Sequence, residues 1–213
     1  GLADSVPVVA LSDDAYFGLF YDDHAFRESL FSQLADAHEN LLAVKVDGAT
    51  KEDYVWGFRV GFVTMAFRGM TSAHAAALEQ KLTGAISSMV SNSSRLSQSL
   101  LLLALEDSRY DEQKADAYRL LEDRFHTLQR ILAEQRSSGR APMLEPLPCN
   151  SGYFMSFRCR GLSAEDLRLA LLDRGVGTIA VRNEYLRVAF AGIDAQGLPE
   201  LYEEIFQAAE ALA

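Results

Sequence analysis

Two residues in the first third of the chain could together hold a phosphorylated aldehyde. Lys51 lies just beyond an apolar run, and Arg59 stands eight residues later between two glycines. Burial and a nearby cation lower the pKa of an amine, as a lysine that binds an aldehyde covalently requires. Arginine can grip a phosphate through two parallel hydrogen bonds, and the glycines allow close approach of the ligand. The alternatives are a solvated loop lysine and an arginine ion-paired at a strand edge.

A second polar cluster, Asp13-Asp14-Ala15-Tyr16, lies at the end of an earlier apolar run. A carboxylate kept ionised beside a pyridine nitrogen holds that nitrogen protonated, so that the ring withdraws electron density from a bound substrate. The Tyr16 hydroxyl could bond a phenolic oxygen of the same ring. The alternative is that the two aspartates form a turn and that Tyr16 packs as an aromatic. With Lys51 and Arg59, the cluster predicts a site for an aldehyde cofactor.

The pattern of apolar residues predicts the elements that would position these side chains. Buried strands are predicted at residues 6–11, 41–46 and 58–66, with an amphipathic helix at residues 25–39. Strand, helix and strand in this order indicate a parallel or mixed α/β sheet covered on both faces. Ligands of such sheets bind at the carboxyl ends of the strands, where Asp13 and Lys51 would both lie.

The rest of the chain is predicted to be helical at first and then to form a small α+β unit. Helices are predicted at residues 72–90, 95–107 and 109–136, and four leucines at 100–103 suggest deep burial of the second. Strands are predicted at 153–157 and 185–190, with a helix opened by Ser163 and Asp166 and closed by Gly175, and a last helix over 198–206. We expect two domains, residues 1–108 and 109–213, and the second begins with the long helix that bridges the two.

Composition excludes several classes of function. The 213 residues carry a formal charge of -10, which argues against nucleic acid as a partner because phosphate binding needs a basic face. No apolar run is long enough to predict a membrane span. The two cysteines suggest a reducing, cytoplasmic setting, and the four histidines show no metal-ligand spacing. We therefore expect a cytoplasmic protein with no metal site.

The D-x-A-Y element, the T-K turn and the G-x-R-x-G segment resemble the PLP-dependent aminotransferases of class I and II, the fold type I enzymes of the aspartate aminotransferase superfamily. The resemblance implies that Lys51 is the catalytic lysine, joined to pyridoxal 5′-phosphate (PLP) as a Schiff base. It implies that Asp13 faces the pyridine nitrogen, Tyr16 contacts the phenolic oxygen and Arg59 binds the phosphate. The implied fold is the C-terminal part of the large PLP-binding domain, a partial mixed sheet with helices, followed by a small α+β domain.

The resemblance extends to the last third of the chain. Arg187, in the predicted strand at 185–190, occupies the place where this family binds the α-carboxylate of the substrate. A strand arginine facing solvent is the alternative. The segment 150–154 resembles the small-domain strand that precedes it in the family. The resemblance therefore implies a homodimeric enzyme that moves an amino group between an amino acid and a 2-oxo acid.

Two departures from the family pattern affect this expectation. Gly48 stands where the family usually has a serine that helps to hold the phosphate, so we expect either that Thr50 or backbone amides substitute for it or that phosphate binding is weaker. Family members are also much longer, with an N-terminal arm, a glycine-containing phosphate loop, a ring-stacking aromatic and an asparagine at the phenolic oxygen. We expect this chain to be the C-terminal piece of a longer enzyme, inactive alone and without its cofactor.

Three other functions remain open from the sequence. A carbon–sulfur lyase of the same fold would use the same lysine and aspartate for β-elimination. A non-catalytic domain could retain PLP or an amino acid as a regulatory ligand. An inert folding unit would bind neither.

Overall fold

The computed structural model describes all residues, Gly1–Ala213, and these form two compact units. Unit 1 comprises Gly1–Leu19 and Phe26–Lys114, and unit 2 comprises Phe20–Ala25 and Ala115–Ala213. The short segment Phe20–Ala25 thus belongs with the carboxyl-terminal unit. The predicted division into domains 1–108 and 109–213 stays a prediction.

Unit 1 contains a three-stranded mixed sheet. Its elements are β1 (Val8–Asp13), α1 (Leu30–Leu34), β2 (Leu41–Asp47), α2 (Ala49–Glu52), β3 (Phe62–Ala66), α3 (Ser72–Met89), α4 (Arg95–Leu105) and the first turn of α5 (Tyr110–Ser138). The strand order is β1-β2-β3, with β1 parallel to β2 and β3 antiparallel to it. The predicted α/β sheet is confirmed in its mixed form.

The register of this sheet brings three chain segments to one edge. Asp13 at the end of β1 pairs with Val46, and Asp47 at the end of β2 pairs with Phe62, the first residue of β3. The residues that follow β1, follow β2 and precede β3 therefore emerge side by side.

The helix predicted at residues 25–39 was wrong in length, because only Leu30–Leu34 is helical. Ser29 caps its first turn by accepting a hydrogen bond from the Phe31 amide at 3.1 Å. Phe26, which the prediction placed on the packed face, is 63% exposed. Short helices are marginal in water unless packing supports them, so the unpacked part of this segment does not become helical.

Burial in unit 1 also differs from the prediction. β1 alternates between half-buried and exposed residues, and Val9 and Leu11 are 67% and 66% exposed. In α4 only Leu101 is buried, whereas Leu102 and Leu103 are 56% and 63% exposed. The predicted deep burial of α4 was wrong, because consecutive leucines on a helix point in different directions and only one direction meets the rest of the chain. None of the helices combines the length and apolarity that crossing a membrane requires.

Unit 2 is an antiparallel sheet with helices. After α5 its elements are β4 (Leu144–Pro146), β5 (Phe154–Cys159), α6 (Ala164–Asp173), β6 (Ile179–Val181), β7 (Tyr185–Ala189) and α7 (Leu198–Leu212). The strand order is β4-β5-β7-β6, and every neighbouring pair is antiparallel. The predicted α+β arrangement is confirmed. The prediction missed β4 and β6, whose three residues each are too few to show an alternating pattern.

Aromatic packing explains why Phe20–Ala25 belongs to unit 2. The ring centroid of Tyr21 lies 5.2 Å from that of Phe125 and 5.7 Å from that of Tyr118, both on α5. The Tyr118 hydroxyl donates a hydrogen bond of 2.5 Å to the Phe20 carbonyl. Tyr21 is 3% exposed, so the segment contributes a core residue to unit 2.

The end of α5 is held by one buried side chain. Gln135 is 5% exposed, and its Nε2 lies 3.2 Å from each of the carbonyl oxygens of Arg140, Ala141 and Leu144. Gly139, with φ of 68°, reverses the chain between the helix and these carbonyls. The amide therefore fixes the connection from α5 into β4.

We predict that Gln135→Met lowers the free energy of unfolding by about 1–3 kcal/mol, because the buried carbonyls of Ala141 and Leu144 lose a donor while the side-chain volume is kept. Urea unfolding measures the change. Gln113→Met, at an exposed position of the same helix, is the matched control and should leave the midpoint unchanged. Equal midpoints for the two variants would contradict this role.

Candidate functional site

Lys51 lies in α2, a single helical turn directly after β2. The turn closes where the Asp53 amide donates to the Ala49 carbonyl at 3.0 Å. Tyr54 follows with a positive φ of 58°, so the chain reverses direction two residues after the helix. The Lys51 Nζ lies 5.6 Å from the centre of the Tyr16 ring, which places the amine beside the turn that follows β1.

The turn after β1 is held by Asp14 and presents Asp13. The Asp14 amide donates to the Val46 carbonyl at 2.8 Å, and its carboxylate accepts hydrogen bonds from the hydroxyls of Ser12 and Ser29. The Asp13 carboxylate accepts a hydrogen bond of 3.3 Å from the Ala15 amide, and Asp13 is exposed. The two adjacent aspartates thus differ in role, since Asp14 anchors the turn.

Arg59 precedes β3 at the same edge and holds an uncommon backbone conformation. Its φ is 55°, in the left-handed region that costs a residue with a Cβ on the order of 1–3 kcal/mol. The residue is exposed, and its Nη1 lies 3.4 Å from the Trp56 carbonyl oxygen. Strained backbone of this kind clusters at ligand sites, which agrees with a binding role for the guanidinium.

Gly48, where the resemblance implies a serine, is packed too closely to accept a side chain without a shift of its neighbours. A Cβ on Gly48 would lie 2.6 Å from the Val60 carbonyl oxygen and 2.8 Å from the Gly61 Cα. The backbone leading into β3 therefore packs directly against Gly48. The Thr50 hydroxyl donates to the same Val60 carbonyl at 3.4 Å. A hydroxyl has one hydrogen, so in this arrangement Thr50 stabilises the turn and has no second proton to donate to a phosphate.

The acids around Lys51 have lysine partners other than Lys51. The Lys45 Nζ lies 2.5 Å from the Asp47 carboxylate, and Lys114 contacts both Glu52 and Asp53. The hydrogen bond to Asp47 raises the pKa of Lys45 above its ordinary value, against the opposing effect of burial. Lys45 and Lys114 were not predicted as partners of these acids. The only signal in the sequence was that the carboxylates of Glu52 and Asp53 directly follow Lys51 and would need a nearby cation.

Arg187, the predicted carboxylate ligand, belongs to unit 2. It lies in β7 opposite Ser156 of β5, and its guanidinium carbon is 4.5 Å from the centre of the Phe154 ring. Its Nε is buried and has no hydrogen-bond partner. An arginine stacked on an aromatic with an unsatisfied donor is suited to an anionic ligand.

The structure brings four of the predicted residues to one edge of the unit 1 sheet. These are Asp13, Tyr16, Lys51 and Arg59. An amine, a carboxylate, a phenol and a guanidinium are the groups that an aldehyde cofactor with a pyridine ring and a phosphate would need. This donor set fits PLP.

The family model described as aminotransferase class I and II matches residues 2–205 of the chain. None of the curated proteins compared with it gives a match.

Solved structures resemble the chain over nearly its whole length. An α-aminoadipate aminotransferase from Thermus thermophilus, complexed with N-(5′-phosphopyridoxyl)-L-leucine, has 21% identity and a TM-score of 0.73 over 96% of this chain and 50% of its own. An aminotransferase from Anaerococcus prevotii has 22% identity and a TM-score of 0.72 over 96% and 47%. An aromatic aminotransferase from Pyrococcus horikoshii has 18% identity and a TM-score of 0.71 over 99% and 54%. At these identities the likeness shows the fold, and the chain spans about half the length of these structures.

The packing at Gly48 leads to a stability prediction. We expect Gly48→Ala to lower the free energy of unfolding by about 1–3 kcal/mol, because the added methyl group meets backbone atoms that cannot rotate away. Gly57→Ala is the matched control, since a Cβ there has open space around it. Urea unfolding of both variants tests this. A Gly48→Ala midpoint equal to that of Gly57→Ala would show that the segment before β3 yields easily.

Proposed function

The chain belongs to the class I and II aminotransferase family, and on that premise we propose that the protein transfers an amino group from an amino acid to a 2-oxo acid. The observation that carries the proposal is the meeting of Lys51 with the turn of Asp13 and Tyr16 at one sheet edge, with Arg59 beside them. The prediction of a PLP-dependent aminotransferase of fold type I is confirmed at the level of family and fold.

We propose PLP as the cofactor. The aminotransferase from Thermus thermophilus was solved with a compound whose name joins a phosphopyridoxyl group to leucine, and the donor set in unit 1 suits the same group. When bound, PLP supplies an electron sink that makes the α-proton of an amino acid acidic.

Each residue of the site has a distinct task in this proposal. Lys51 supplies the primary amine that binds the aldehyde, and once the substrate has displaced it, this amine moves the α-proton. Asp13 supplies the negative charge that keeps the ring nitrogen protonated. Tyr16 donates to the phenolic oxygen, and Arg59 binds the phosphate, aided by backbone amides of α2 and by the Thr50 hydroxyl, which would have to rotate away from the Val60 carbonyl to donate.

Arg187 is proposed as the ligand of the substrate α-carboxylate. Its planar fork matches the two carboxylate oxygens, and its buried, unpartnered Nε gives it an unsatisfied donor. Stacking on Phe154 holds the guanidinium in one plane. Both the amino acid and the 2-oxo acid carry this carboxylate, so one arginine serves both half-reactions.

The activity is proposed for the whole enzyme, as a cytoplasmic homodimer. The chain spans about half the length of the related structures, and we propose that on its own it is inactive and does not retain PLP. The phosphate side supports this, because Arg59 is exposed, Gly48 offers no hydroxyl and Thr50 donates to Val60.

The identity of the cofactor lysine can be tested in this chain, which has only four lysines at positions 45, 51, 81 and 114. Excess PLP is mixed with the chain and reduced with borohydride, which makes permanent even a short-lived lysine–cofactor bond that the chain does not retain, and the labelled peptides are mapped by mass spectrometry. We predict that Lys51 is labelled about tenfold more than Lys81, which corresponds to a preference of about 1.4 kcal/mol. Lys51→Ala should abolish the preferred label, and Lys81→Ala should not. Equal labelling of all four lysines would contradict the proposal.

Product analysis of the whole enzyme tests the reaction class. A transferase forms one new amino acid for each 2-oxo acid consumed and releases no ammonia. A carbon–sulfur lyase of the same fold would instead release pyruvate and ammonia, and such a result would replace the proposed reaction.

A further inference from the structure

The two carboxylates that follow Lys51 are held by the first turn of α5. The Lys114 Nζ lies 2.8 Å from Asp53 Oδ1 and 3.3 Å from Glu52 Oε1. The Tyr110 hydroxyl donates to the same Asp53 oxygen and lies 3.2 Å from the Lys114 amine. We call these four residues, Glu52, Asp53, Tyr110 and Lys114, the Lys114 cluster.

The Lys114 cluster is only partly accessible to water, which strengthens its charged hydrogen bonds. The side chains of Lys114 and Asp53 are 32% and 12% exposed. Burial alone would lower the pKa of Lys114, but the hydrogen bonds to Asp53 and Tyr110 and the nearby negative charges outweigh it and raise the pKa. Burial, with the hydrogen bond to Asp53, raises the pKa of Tyr110. At neutral pH both residues therefore act as donors to Asp53.

The Lys51 turn needs support from outside itself. Its helix has four residues, far fewer than a helix needs to be stable alone. Asp53 ends the turn through its backbone amide, and the carboxylate of the same residue is held by Lys114 and Tyr110. The cluster therefore fixes the end of the turn two residues after Lys51.

The cluster also reaches the turn that carries Tyr16. A Cβ on Gly18 would lie 3.6 Å from Glu52 Oε1, an ordinary van der Waals distance, so the Glu52 carboxylate lies next to the chain at Gly18. The same carboxylate faces Lys114. Glu52 thus links the segment after β1 to α5 through the Lys51 turn.

Charge compensation is a second consequence of the cluster. A lysine that binds an aldehyde must react as the uncharged amine, and an unpaired carboxylate beside it would favour the ammonium form. Lys114 supplies a cation to Glu52 and Asp53, as Lys45 does to Asp47.

We propose that Lys114 and Tyr110 are positioning residues that hold the Lys51 turn in shape and pair the two carboxylates next to it. The part that concerns Lys51 chemistry rests on the proposed function. Neither residue is proposed to touch the cofactor.

Amide hydrogen exchange tests the positioning claim without any cofactor. In Lys114→Met the amides of residues 49–54 should exchange about tenfold faster, as expected for the loss of hydrogen bonds to a charged group. Lys114→Arg, which keeps the cation, should restore slow exchange, and Tyr110→Phe should give an intermediate rate. Arg119→Met is the matched control, because it removes an exposed ion pair with Asp116 on the same helix.

Borohydride capture of PLP at Lys51 tests the chemical part. Lys114→Met should reduce capture about tenfold, as the loss of charge-assisted hydrogen bonds predicts, and should also slow the methylation of Lys51 by formaldehyde, because both aldehydes react with the uncharged amine. Lys114→Arg should restore capture. The proposal would be overturned if amide exchange in residues 49–54 and capture of PLP were both unchanged in Lys114→Met. It would also be overturned if exchange became faster by the same factor in both units, because Lys114 would then stabilise the whole chain and not the Lys51 turn in particular. Labelling of Lys51 no stronger than that of Lys81 in the unaltered chain would contradict the cofactor role proposed for Lys51, while the exchange data would still decide the positioning claim.

Discussion

The pairing of β1 and β2 in parallel, with β3 antiparallel beside them, is the constraint on which the candidate site depends. It places the end of β1, the end of β2 and the start of β3 at one edge. The carboxylate of Asp13 lies far in the sequence from Lys51 and Arg59, and this register brings all three residues to the same edge. The backbone hydrogen bonds between the three strands therefore position the residues of the candidate site.

Local contacts then hold the Lys51 turn at this edge of the sheet. Gly48 allows the backbone before β3 to pack directly against the turn, and Thr50 donates to the same Val60 carbonyl. On the other side, Lys114 and Tyr110 hold Asp53. A close backbone contact thus holds the start of the turn at Gly48, and the Lys114 cluster holds its end.

Much of the fold followed from the sequence because its elements are long and periodic. The helices over 72–89 and 110–138 and the strand over 41–47 were predicted closely. The spacing of Lys51 and Arg59 was the basis on which they were predicted as site residues, and their roles stay predictions. Burial was less predictable. The leucines of α4 other than Leu101, and Val9 and Leu11 of β1, are exposed, because hydrophobicity alone does not say which face of an element meets the rest of the chain.

Long-range pairing was the other limit. The contact between Lys114 and Asp53 joins residues 61 positions apart, and the membership of Phe20–Ala25 in unit 2 depends on the packing of Tyr21 against α5. Neither contact produces a periodic pattern of apolar residues from which it could be predicted. The pairs of acids near Lys51 gave a partial signal, since buried or half-buried carboxylates need partners.

The central claim is that the Lys51 amine both binds the cofactor and moves the substrate proton. Amine rescue in the whole enzyme tests it most directly, by measuring amino transfer in Lys51→Ala with and without added ethylamine. We predict that turnover falls by about 100- to 10,000-fold, the usual contribution of a proton-transfer group, and that ethylamine restores part of it in proportion to its concentration. Turnover in Lys51→Ala equal to that of the unaltered enzyme would contradict the claim.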